Sequence, residues 1–89
     1  MTTRLTYIVE CRDGSYYVGI TNDLQSRVAE HNAGEGAAWT RMRRPVTLRF
    51  AQPSADKSEA RKREIAIKGW RREKKRTLIT SSFNALPHL

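Results

Sequence analysis

The 89-residue chain has few of the residues that build several common kinds of site. Its one cysteine, Cys11, allows no internal disulfide and no multi-cysteine zinc site. Two histidines, His31 and His88, are too few for a histidine-built metal cage. No apolar run reaches the length of a membrane span, and residues 1–5 have no signal-like hydrophobic region. The phosphate-binding patterns G-x-x-x-x-G-K-[ST] and G-x-G-x-x-G are missing, and no serine or cysteine is accompanied by the partners of a triad. Acidic residues are scarce: 9 Asp and Glu stand against 17 Lys and Arg, for a net charge of +8. These absences leave a small, soluble, cytoplasmic chain with an anionic partner, no membrane role and no evident obligate protein partner.

The charge that is present is unevenly placed. The first 40 residues sum to −2, whereas residues 41–76 sum to +10. A basic half of this kind is the electrostatic footprint of a nucleic-acid binder. The plainer alternative is a solvated basic helix that serves solubility. With 38% hydrophobic residues the chain is apolar enough for one core, and at 89 residues it is too short for two domains.

Residues 5–11 and 16–20 are rich in β-branched and aromatic side chains and flank Asp13-Gly14, which predicts a β-hairpin. Thr21-Asn22-Asp23 offers N-cap chemistry, and Leu24, Arg27, Val28 and His31 follow at helical spacing until Ala33-Gly34. A loop is expected to about Arg44. A third strand is expected over 46–51, opened by Pro45 and closed by Pro53. Asp56 and Glu59 resemble a capping box, and one long helix is expected to roughly Arg76. The expected fold is α+β: a small three-stranded antiparallel sheet flanked by helices, in the order β-β-α-β-α. The single domain has its core at about 5–78 and a C-terminal tail over 79–89.

Three features carry candidate chemistry. Tyr7 and Tyr17 stand one on each hairpin strand, where a phenol either packs or positions and deprotonates a water. Arg27 and His31, four apart, share one helix face, and a guanidinium fork suits a phosphate while an imidazole moves protons near neutral pH. Glu64 shares a face with Ala60, Ile67 and Arg71 amid basic neighbours, as either a salt-bridge partner or a magnesium or manganese ligand. Together they make the set that phosphodiester cleavage requires. A two-residue turn at Asp13-Gly14 would send Tyr7 and Tyr17 to opposite faces of the hairpin. A shared site therefore demands an odd-length loop, such as Asp13-Gly14-Ser15, or a bulge.

Thr6-Tyr7-Ile8 and Tyr17-Val18-Gly19, with Tyr17 ten positions after Tyr7, resemble the paired motifs of the GIY-YIG nuclease superfamily. Gly19-Ile20-Thr21-Asn22-Asp23-Leu24, Arg27, His31-Asn32, Gly34, Gly36, Trp39-Thr40-Arg41, Arg44-Pro45-Val46 and Ala60-x-x-x-Glu64-x-x-Ile67-Lys68 extend the likeness to its small single-domain bacterial branch. Leu5 and Thr6 replace the glycine and isoleucine of the first motif. The resemblance implies that Tyr7 activates the attacking water and Tyr17 helps organise water and phosphate. It further implies that Arg27 stabilises phosphate charge, His31 supports proton transfer, and Glu64 holds one divalent metal ion, Mg2+ or Mn2+.

The expected function is metal-dependent endonucleolytic hydrolysis of DNA, structured or associated with repair, with DNA favoured over RNA. Arg41, Arg43, Arg44, Lys68, Arg71 and Arg72 are expected to hold the nucleic-acid backbone. The alternatives are a non-catalytic nucleic-acid-binding module on the same surface and a basic adaptor for an acidic protein.

Overall fold

The structure is a computed structural model that describes residues 4–86; residues 1–3 and 87–89, with His88 and the end of the tail, lie outside the described residues. Strand β1 (Arg4–Glu10) alternates strictly: Thr6 and Ile8 bury on one side, Tyr7 and Val9 on the other. A strand buried on both faces belongs at the centre of a sheet. β1 indeed lies between β2 (Tyr16–Thr21) and β3 (Thr47–Ser54), antiparallel to both.

Each face has its own core. Ile8, Val18 and Phe50 pack with Ile67 and Leu78 of the C-terminal helices. Tyr7, Val9, Cys11 and Val46 pack with Leu24 and Val28 of helix α1 (Leu24–Ala33). The Asp23 carboxylate accepts from the Ser26 amide to cap α1, and Gly34 closes it at φ 83°. Asn32 then pairs in both directions with the backbone of Val46, tying the end of α1 to the entry of β3.

The expected α+β class, three-stranded antiparallel sheet and β-β-α-β-α order all hold, with four local corrections. A short helix, α2 (Ala38–Arg41), interrupts the expected loop. β3 runs through Pro53 to Ser54, which an edge strand tolerates, and Arg49 bulges out between Leu48 and Phe50. The long basic helix is two: α3 (Lys57–Lys68) and α4 (Arg72–Ile79). The break at Gly69-Trp70-Arg71 makes Arg71 an exposed cap residue off the Ala60–Ile67 face, while Leu78 of α4 packs in the core beside Ile67. The tail also docks: Asn84 bonds the backbone of Arg49, Ala51 and Ile79 along the open edge of β3. Among the described residues no helix is long and apolar enough to cross a membrane.

Candidate active site

The hairpin register decides whether the tyrosines can meet. Cys11 and Ser15 close the turn, and Arg12-Asp13-Gly14 forms an odd, three-residue loop with Gly14 at φ 86°. Tyr7 therefore faces Gly19, and Val9 faces Tyr17, which puts both phenols on the α1 face. Gly19 is required there: a Cβ at that position would lie 2.5 Å from the Tyr7 oxygen. Only a bare backbone lets the Tyr7 ring cross β2 to the sheet edge.

At that edge the Tyr7 hydroxyl, buried with its ring, meets two partners from α1. His31 Nε2 lies 2.8 Å away, and Arg27 Nε donates to the same oxygen at 3.3 Å. His31 is itself fully buried, with Nδ1 2.8 Å from Thr40 Oγ1. Thr40 donates its one hydroxyl proton to the Ala37 carbonyl at 3.0 Å, so towards His31 it can only accept. In the tautomer that this pairing favours, Nδ1 carries the imidazole proton, Nε2 is the acceptor, and Tyr7 points its proton at His31. Burial, helped by the nearby Arg27 charge, holds the His31 pKa below 6.5 and so keeps the ring neutral. Burial also raises the Tyr7 pKa above 10.0, against the pull of Arg27. Replacing Thr40 by Val would orphan the buried Nδ1–H and should cost ~1–3 kcal/mol, read by denaturant unfolding. Thr40→Ser should recover most of it.

Tyr17 is half-buried, with its ring edge-on to His31 at 5.2 Å between centroids. Glu64 approaches from α3, and its charge adds to the upward shift of Tyr7. Only 4% exposed, Glu64 pairs through Oε1 with Arg61 at 2.7 Å and through Oε2 with Lys68 at 3.3 Å. The Lys68 amine also lies 5.6 Å from the Tyr17 ring centre, so Glu64 and Tyr17 share a neighbour. Among the described residues no three His, Cys, Asp or Glu side chains gather into a metal cage. A lone carboxylate is a hard oxygen donor of the kind that a water-rich Mg2+ or Mn2+ takes. The fit requires Arg61 and Lys68, both long and half-exposed or more, to swing off it.

The expected backbone-binding residues divide into groups. Arg43 stacks 3.4 Å from the Trp39 ring centre and is pinned by Asp13, while Arg72 stacks on Tyr16 at 4.3 Å and bonds the Gly14 carbonyl. With Lys68, these two border the tyrosine-lined side. Arg41 and Arg44 reach back to the Gly34 and Asn32 carbonyls at the end of α1, and Arg71 is exposed at the start of α4. Thr40, Gly19 and Gly36 were not singled out as site residues in the sequence. A Cβ on Gly36 would collide with the His31 ring, so this glycine is the packing surface for the imidazole. The Trp39-Thr40-Arg41 stretch was the only signal pointing to Thr40.

A buried Tyr–His–Thr chain thus lies beside an arginine and an ion-paired carboxylate at a hairpin edge of a small α+β domain. Residues 4–77 match the GIY-YIG catalytic domain, and the chain belongs to this nuclease family. A UPF0213 protein of Halobacterium salinarum is 56% identical over 73 residues, covering 82% of this chain and 95% of that one. A UPF0213 protein of Staphylococcus aureus is 48% identical over 79 residues, covering 89% and 96%. The solution NMR structure of a UPF0213 protein from Bacillus halodurans superposes with TM-score 0.59 at 36% identity, over 97% of this chain and 89% of that one. That of a protein from E. faecalis does so with TM-score 0.60 at 35% identity, over 86% and 82%.

Proposed function

We propose that the protein is a metal-dependent endonuclease acting on phosphodiester bonds of DNA in the cytoplasm, with structured or repair-associated DNA as substrate. The observation that carries this reading is the directed chain from Tyr7 to His31 to Thr40. It gives a water proton somewhere to go: the water O–H breaks, Tyr7 Oη takes that proton, and the Tyr7 proton passes to His31 Nε2. The resulting hydroxide attacks phosphorus and the sugar oxygen leaves. Arg27 both touches Oη and is exposed enough to meet a phosphate, so an arriving phosphate draws the guanidinium outward and frees the Tyr7 lone pair. Arg27 then neutralises the charge that grows on the phosphate oxygens. Glu64 would hold the divalent ion, which supplies further positive charge to the phosphate and the leaving oxygen.

Turnover compared with affinity tests this. Arg27→Ala should lose on the order of 100-fold in single-turnover cleavage and little in binding. Equal losses in both would make Arg27 a ground-state contact only. The pH profile follows from His31. The chain works only with a neutral imidazole, and its pKa is held below 6.5. The same depression adds stability above pH 6.5 that is lost as pH falls through the folded-state pKa. Cleavage should therefore hold at its neutral-pH rate below 6.5 and decline only in more acid buffer; an acid limb centred above 6.5 would remove His31 from the chain.

One observation favours the binding-module alternative: Arg61 and Lys68 occupy both Glu64 oxygens. Either reading predicts backbone-led affinity. Binding should fall by roughly 0.9 log units per log unit of salt for each duplex phosphate neutralised, and a flat salt titration would contradict both.

A further inference from the structure

Beside the catalytic groups lies an open cleft of about 270 Å³, lined by Tyr16, Tyr17, Val18, Trp39, Lys68 and Lys75. We propose that this cleft is a nucleobase subsite, which takes one unpaired base of the strand being cut against Trp39 and the tyrosines. The inference rests on the nuclease reading and deepens it, because it names the substrate as a strand with an unpaired nucleotide next to the scissile phosphate.

The residues support it in three ways. Trp39 is 46% exposed, although an indole gains most by burial, and its position on the short helix α2 points to contact with something outside the chain. Its setting is also fixed. Arg43 lies 3.4 Å from the ring centre and is itself held by the Asp13 carboxylate at 3.1 Å and the Trp39 carbonyl at 2.9 Å. Tyr16 is backed in the same way by Arg72 at 4.3 Å. Aromatic rings held in place by guanidinium groups lose little freedom when a base stacks on them.

The charge around the cleft matches the ligand. Its lining combines flat apolar rings with the side chains of Lys68 and Lys75, so a base can enter while its flanking phosphates draw the two amines. Position completes the case, since Tyr17 both lines the cleft and packs edge-on against His31. A base seated here belongs to a nucleotide close to the phosphate that Arg27 would hold. A duplex keeps its bases stacked and paired, so their flat faces are not free to lie on the cleft's rings. The strand must therefore be single or carry a flipped or unpaired nucleotide.

The test compares a short thymidine oligomer with an abasic oligomer of equal length, which keeps every phosphate and lacks every base. Affinities are measured in chelator, so that nothing is cut, for the wild-type protein and for Trp39→Ala. The wild-type protein should bind the thymidine oligomer about tenfold more tightly than the abasic one. Trp39→Ala should lose most of that preference and bind the abasic oligomer as the wild type does, while Trp39→Phe should keep part of it. Equal wild-type affinity for the two oligomers overturns the subsite without any variant having to fold. So does a preference that survives Trp39→Ala. Cleavage of branched, single-stranded and duplex DNA with magnesium or manganese separates the two ideas: a base preference with none of them cut keeps the subsite and defeats the nuclease, and cutting without a base preference does the reverse.

Discussion

Glu64→Gln protein should bind DNA as well as the parent protein and cut none of it. The substitution keeps the shape and volume of a side chain that is only 4% exposed, and removes the charge that a hard divalent ion requires. Raising the magnesium or manganese concentration should restore little activity, because the lost group is the ligand itself. Affinity should persist or rise, since one negative charge leaves a surface that faces phosphates. Stability should change little, about 0–1 kcal/mol, because Arg61 and Lys68 are exposed and the Gln oxygen still accepts from Arg61. If Glu64 serves only those ion pairs, the pattern inverts: melting shifts modestly and turnover is untouched. A Glu64→Gln protein cutting at close to the parent rate rules out the metal-ligand role.

Tyr7→Phe should lower single-turnover cleavage by ~10²–10⁴-fold while leaving affinity for uncut DNA within a few-fold. The ring still fits against Gly19, so the sheet edge is kept. What disappears is the oxygen that receives the Arg27 N–H and directs a proton to His31. The fully buried Nε2 then has no donor, which should lower stability by ~1–3 kcal/mol, measurable by thermal melting. Because that loss is too small to unfold an otherwise sound domain at low temperature, rate and stability can be read separately on one preparation. A Tyr7→Phe protein with near-parent cleavage would move water activation to Tyr17, the other phenol on this face.

Much of this arrangement is legible in the sequence because it is local. Asp13-Gly14 marks the turn, β-branched and aromatic residues over 5–11 and 16–20 mark the hairpin strands, and the spacing of Arg27 and His31 puts them on one helix face. The requirement that the tyrosines share a face predicts an odd loop or a bulge; the loop is odd, but it is Arg12-Asp13-Gly14, one residue earlier than Asp13-Gly14-Ser15. The rest depends on contacts between distant residues. Gly69 alone does not announce a helix break, since a helix tolerates a glycine for about 1 kcal/mol. A straight helix would hold Leu78 in phase with Ile67 but carry it about 16 Å further along the axis; the break instead lets α4 pack Leu78 beside Ile8 and Phe50, a tertiary event. Thr40 matters only because α2 folds back on α1 and brings its hydroxyl to His31. Net charge shows that residues 41–76 are basic, but not that Arg41 and Arg44 are engaged with backbone carbonyls while Arg43 backs an indole.

The most direct measurement incubates the wild-type protein with branched, single-stranded and duplex DNA, each with magnesium, with manganese and with chelator. The expected result is cleavage of at least one of these DNAs that depends on the metal and stops in chelator. Tight, salt-sensitive binding to all three with no strand cut under any metal would contradict a nuclease and leave the same surface as a nucleic-acid-binding module.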